Sequence, residues 1–80
     1  MKRTAPLSER ENKIWEYILR YFEDHTYSPT RKEIADGIGL ETPQEVEDCL
    51  QNMVKKCWLK LDQRKWRNII DPKDYGDGKM

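Results

Sequence analysis

Apolar residues recur along most of this chain at three- and four-residue spacing, then at every second residue near its end. Ile14, Ile18 and Phe22 stand at i, i+4 and i+8, with Trp15, Leu19 and Tyr21 widening the stripe, which predicts an amphipathic helix. Its start is marked by Ser8 with Glu11 three residues on, a capping box, and by Leu7, placed to staple onto the first turns. It should end near Asp24 or His25, where His25 reads as a surface residue compatible with the helix dipole. Tyr27-Ser28-Pro29 must be extended, because the residue before a proline is pushed out of the α region. Thr30 and Glu33 form a second capping box, opening a short helix with Ile34 and Ala35 on its apolar face. Gly37 should close that helix, with Gly37-Ile38-Gly39 as a tight turn around one apolar plug. A third helix follows, with Thr42 as cap, Pro43 at the first helical position and Glu45 completing another capping box. Val46, Leu50, Met53 and Val54 give it a face turned toward the first helix.

After Lys55-Lys56 the period changes from 3.6 to 2. Trp58-Leu59-Lys60-Leu61-Asp62 reads as a strand with Leu59 and Leu61 inward, Gln63-Arg64 as a turn, and residues 65–70 as the returning strand. Trp58 and Trp66, each beside basic neighbours, would then form a cross-strand pair or an exposed contact surface. Residues 1–6 read as a flexible arm, 7–70 as the domain, and 71–80, with Pro72, Gly76 and Gly78, as a flexible tail. The predicted class is α+β, mostly α: three helices followed by a two-stranded β-hairpin. Two short helices joined by a glycine turn, then a basic hairpin, is the arrangement of a winged helix-turn-helix.

Length narrows the choice. Eighty residues allow one small domain, which buries only about 60% of the surface its unfolded chain exposes. Charged residues make up 38% of the chain and hydrophobic ones 36%, yet the regular apolar spacing, with three Trp and four Tyr, argues against disorder. No stretch approaches the roughly 18 apolar residues of a membrane helix, and no signal-peptide pattern opens the chain. A soluble, cytoplasmic protein is expected. Cys49 and Cys57, eight apart with His25 far upstream, supply neither a disulfide framework nor paired zinc ligands, so reduced thiols and no metal or other cofactor are expected. Ser8 and Ser28 have no histidine near them by pattern and no glycine-rich phosphate loop is present; neither catalysis nor a small-molecule substrate is expected.

Charge is segregated although the total is zero. Glu41, Glu45, Glu47 and Asp48 make residues 41–50 acidic, whereas Lys55, Lys56, Lys60, Arg64, Lys65 and Arg67 outweigh Asp62 across 51–70. Such a run is ordinarily a solvated face, and it is equally a surface for phosphates. Trp15, Tyr17, Tyr21 and Phe22, at helical spacing, read as packing residues in preference to a base-stacking platform.

Leu7-Ser8-Glu9-Arg10, Tyr27-Ser28-Pro29-Thr30-Arg31-Lys32-Glu33-Ile34-Ala35 and Gly39-Leu40-Glu41-Thr42-Pro43-Gln44 together resemble the DNA-binding domain of the LexA repressor family, across roughly residues 7–70. The resemblance implies that the third helix, residues 43–56, enters the major groove of double-stranded DNA. Thr42, Gln44, Glu45, Glu47 and Asp48 would then face the bases, with Gln44 suited to an adenine edge and the carboxylates to a cytosine amino group. It also implies that Ser28, Thr30, Arg31 and Lys32 lie against phosphates, and that Arg64, Lys65 and Arg67 set the hairpin, residues 58–70, on the backbone. The chain departs from the family at Cys57, where a helix-ending glycine is expected, so the helix end should be arranged differently. Its hairpin loop is short. The family's self-cleaving serine-lysine half has no counterpart in these residues, so the expected protein is a small transcriptional regulator that forms a homodimer by its own means. A second reading takes the four carboxylates of residues 41–50 as a surface for a basic protein partner, making the chain an accessory or anti-repressor module. Positive charge flanking the acidic patch would favour DNA, and an uninterrupted acidic face would favour a protein.

Overall fold

In a computed structural model the described residues are 5–62, 64, 65 and 67–72. Three helices form in the expected order: α1 (Glu9–Asp24), α2 (Arg31–Ile38) and α3 (Pro43–Lys55). Each opens on its capping box, with the Ser8, Thr30 and Thr42 hydroxyls accepting from the backbone N–H of Glu11, Glu33 and Glu45. At each start two orphan donors, the N–H groups of the cap residue and of the glutamate, are thereby satisfied by reciprocal bonds that the sequence encodes locally.

Helix α2 runs one residue past the expected stop. Gly39, not Gly37, ends it, with φ +84° and its N–H donating to Ala35 O at 3.0 Å. Gly37 stays helical for another reason: a Cβ there would lie 2.2 Å from Tyr17 Cε2, so its bare backbone lets α2 approach the α1 ring closely. The end of α3 corrects a second expectation. Cys57 takes the left-handed conformation, φ +65°, that a glycine would take. The N–H of Cys57 donates to Val54 O and that of Trp58 to Met53 O, both at 3.0 Å. This is the usual Schellman closure with a cysteine in the glycine place.

The core joins Ile14, Ile18 and Phe22 of α1 to Ile34 and Ala35 of α2 and Val46, Leu50 and Met53 of α3, closed by Leu59 and Ile69. Leu19, expected to widen the apolar stripe, is 37% exposed. Among the described residues beyond α3 there is one isolated antiparallel bridge, between Leu61 and Ile69. Asp62 N–H donates to Asn68 O at 2.7 Å and Ile70 N–H to Lys60 O at 3.1 Å. Two strands alone are marginal in water, and the side chains of Arg67 and Asn68 in this segment are held by the helices. The tryptophan pair expected between Trp58 and Trp66 rests on Trp66, which with Gln63 lies outside the described residues. Trp58 packs edge-to-face on Trp15, with centroids 5.6 Å apart.

Ala5 and Pro6, expected to belong to a loose arm, are held against the end of α3. Trp58 Nε1 donates to Ala5 O at 2.7 Å and Lys56 Nζ to Pro6 O at 3.1 Å. Pro72, expected in the tail, is buried. Among the described residues, no helix is long and apolar enough to cross a membrane.

Candidate nucleic-acid interface

With Val46, Leu50 and Met53 buried, helical periodicity fixes what α3 presents outward. Gln44, Asp48 and Lys55 lie at the centre of its exposed face, flanked by Gln51 and Asn52, and all five are exposed. Pro43 at the first position costs no hydrogen bond and sets the start of this face. Gln44 Nε2 donates to Asp48 Oδ1 at 3.0 Å. Thr42 is spent on the cap, exchanging bonds with Glu45 through its N–H and its hydroxyl.

Two of the four carboxylates in this stretch have cationic partners from other helices. Arg31 Nε, at the start of α2, lies 2.7 Å from Glu47 Oε1. Arg10 of α1 lies 3.7 Å from Glu45 Oε1. The Gln51 amide and the Arg31 guanidinium hold the Glu47 carboxyl below its ordinary pKa, against burial, which alone would raise it. Arg31 also donates through Nη1 to Asn68 Oδ1, so one guanidinium ties together α2, α3 and the segment after α3.

The residues expected on phosphates divide into two groups. Lys32, Arg64 and Lys65 are exposed, with Lys32 pairing to Asp36 at 3.2 Å along α2 and Arg64 to Asp62 at 3.2 Å. Thr30 caps α2. Ser28, by contrast, is buried, with its hydroxyl 3.4 Å from Pro29 O, so it does not reach the surface. Arg67 turns inward as well. Its Nη1 donates to Ser28 O at 2.8 Å, Glu33 Oε1 at 3.1 Å and Tyr21 OH at 3.3 Å. Its guanidinium carbon stands 4.8 Å from the Tyr27 ring centroid, a cation–π contact. Glu33 is held below its ordinary pKa by the Thr30 N–H and then by Arg67. Arg31 and Arg67 therefore work first as internal ties. Lys55 belongs to the basic run already named as a surface for phosphates, whereas Arg10, Gln51, Asn52 and Asn68 were missed by the sequence reading. Counting the outward positions of α3 would have found Gln51 and Asn52, whereas Arg10 and Asn68 act across chain separations that no local pattern reveals.

Helix α2, the Gly39 turn and the outward polar face of α3 define a helix-turn-helix protein. The chain belongs to the family of the LexA DNA binding domain, whose family model matches residues 4–68. It is similar to the LexA repressor of Carboxydothermus hydrogenoformans, 38% identical over 63 residues, covering 79% of this chain and 31% of that protein. The LexA repressors of Desulfitobacterium hafniense and Pseudomonas aeruginosa are 36% identical over 63 residues and 33% identical over 66. These cover 79% and 82% of this chain, and 31% and 32% of the relatives. The chain thus spans about a third of the length of the curated relatives it matches. The matched family model describes a DNA binding domain.

Proposed function

We propose that the chain binds double-stranded DNA sequence-specifically, as a small transcriptional regulator, with α3 in the major groove and residues 58–70 acting as the wing. One observation carries this. The acidic start of α3 is interrupted by Arg31 on Glu47 and Arg10 on Glu45. The exposed centre of the helix is then left to the amides of Gln44, Gln51 and Asn52, to Asp48 and to Lys55. A polyanion meets amides that read base edges, where the sequence alone suggested a wall of carboxylates. A basic protein partner would need an uninterrupted acidic face, and the two arginines break it.

Gln44 and Asp48, joined as one hydrogen-bonded unit, form the centre of base readout, with Thr42, Glu45 and Glu47 at its edge. Lys32, Arg64 and Lys65 take phosphates, because their side chains reach solvent. Arg31, Arg67 and Ser28 shape the surface from within. Two copies on a palindrome would place two such helices about one turn of DNA apart.

Enrichment of a random duplex pool on the purified chain, at low and near-physiological salt, tests this reading. A recovered motif is expected, and a palindromic one establishes the homodimer. Absence of retention even at low salt would overturn the assignment.

A further inference from the structure

Glu47 and Gln51 stand one helical turn apart on α3, and their side chains are joined. Gln51 Nε2 donates to Glu47 Oε2 at 2.6 Å, while Arg31 Nε donates to Glu47 Oε1 at 2.7 Å. Both carboxylate oxygens are therefore held, one from within α3 and one from the first turn of α2. The Arg31 guanidinium is anchored in turn on Asn68 Oδ1. Exposure falls along this chain of contacts: Gln51 is exposed, the Glu47 side chain is 34% exposed and that of Arg31 only 18%. The relay is fixed inside and presented outside.

The chemistry sets which way the amide points. An ionised carboxylate only accepts hydrogen bonds, so a glutamine that meets one must turn its NH2 group toward it. One N–H of Gln51 is spent on Glu47. What remains to face outward is the second N–H and the carbonyl oxygen, a donor and an acceptor in one plane. The major-groove edge of adenine offers the complement, N7 as acceptor and the N6 amino group as donor. An amide already held in this way has lost rotamer freedom before any ligand arrives, which favours selective binding.

We propose that Gln51 is a specificity-determining residue that reads an adenine, its amide oriented by Glu47, and that Arg31 is the positioning residue behind it. The inference rests on the proposed DNA-binding function, with α3 in the major groove. Gln51 is seven residues from Gln44 on the same face, about 10 Å along the helix axis, so the two amides address different base pairs.

The test uses the whole 80-residue chain and its Gln51→Ala, Gln51→Glu, Gln44→Ala and Arg31→Lys variants, with helix content checked by circular dichroism. Motifs from duplex enrichment are followed by titration against duplexes changed at each position in turn. Gln51→Ala and Gln51→Glu should each lose discrimination of about 5- to 150-fold at one base pair, distinct from the pair affected by Gln44→Ala. Arg31→Lys keeps the charge but not the guanidinium fork, and it should loosen preference at the Gln51 base pair. A purely structural or phosphate-binding role would instead lower affinity equally for every sequence, and that result overturns the positioning role. If Gln51→Ala keeps the wild-type preference at every position, the Gln51 assignment falls while the proposed function stands. If the wild-type chain recovers no motif, both fall.

Discussion

Cys57 holds a φ of +65° at the end of α3, in a region where an L side chain crowds the following carbonyl at a cost of about 1–2 kcal/mol. The closure it makes is complete, with both Schellman hydrogen bonds at 3.0 Å, so the cost is borne by the residue and not by the motif. Cys57→Gly should relieve the crowding while adding backbone entropy to the unfolded chain. The expected net gain is about 0.5–1 kcal/mol, read as a higher urea midpoint at unchanged slope. An unchanged or lower midpoint would show that the thiol contributes packing of its own.

Between elements, Glu11 ties α1 to the end of α3. It is 3% exposed, caps its own helix through the Ser8 N–H at 3.0 Å, and lies 2.6 Å from Lys56 Nζ. Burial pushes its pKa up, but Lys56 and the Ser8 N–H together outweigh it and hold the carboxyl below the ordinary glutamate range. A carboxyl lowered on folding contributes stability that is fully present above its unfolded pKa. That stability is lost as pH falls through the lowered folded value. Glu11→Gln should therefore cost about 1–3 kcal/mol at neutral pH, with the gap from the wild type closing as the medium is acidified below the glutamate range. Thermal unfolding across that interval measures it, and a gap independent of pH would assign the loss to packing alone.

The same elements show what the sequence can carry. All three capping boxes were legible because each lies within four consecutive residues, Ser8 to Glu11, Thr30 to Glu33 and Thr42 to Glu45. The apolar spacing that predicted the helices also named most of the core. Contacts set by tertiary position were not legible. Arg31 meets Asn68 across 37 residues, Arg67 meets Glu33 across 34 and Trp58 meets Ala5 across 53. Two arginines that the family resemblance assigns to phosphate make internal ties of this kind. Alternation after Lys56 suggested strands, but pairing there is limited to one bridge among the described residues, since alternation records burial of Leu59 and half-burial of Leu61 and says nothing of ladder length.

At the scale of the whole molecule, net charge is zero, so the proposed affinity for DNA would come from where cations sit. Lys65 is exposed and its side chain is not among the internal ties that hold Arg31 and Arg67. Lys65→Ala should weaken binding uniformly across sequences and reduce the slope of log affinity against log salt by about one. A change in sequence preference, or an unaltered slope, would remove Lys65 from the phosphate contacts.

The docking of Trp58 on Ala5 closes nearly the whole domain into a ring, 53 residues around. Joining such distant points draws on chain entropy that local helix formation does not, so this junction should form after the transition state for folding has passed. In kinetic terms it is a latch on escape and not a guide to entry. Trp58→Phe keeps a ring against Trp15 but removes the indole N–H, and should raise the unfolding rate about five-fold while leaving the folding rate nearly unchanged. The lifetime of the native state, more than the speed of reaching it, would then be set by the end of the chain that lies furthest in sequence from the face of α3 proposed to read DNA.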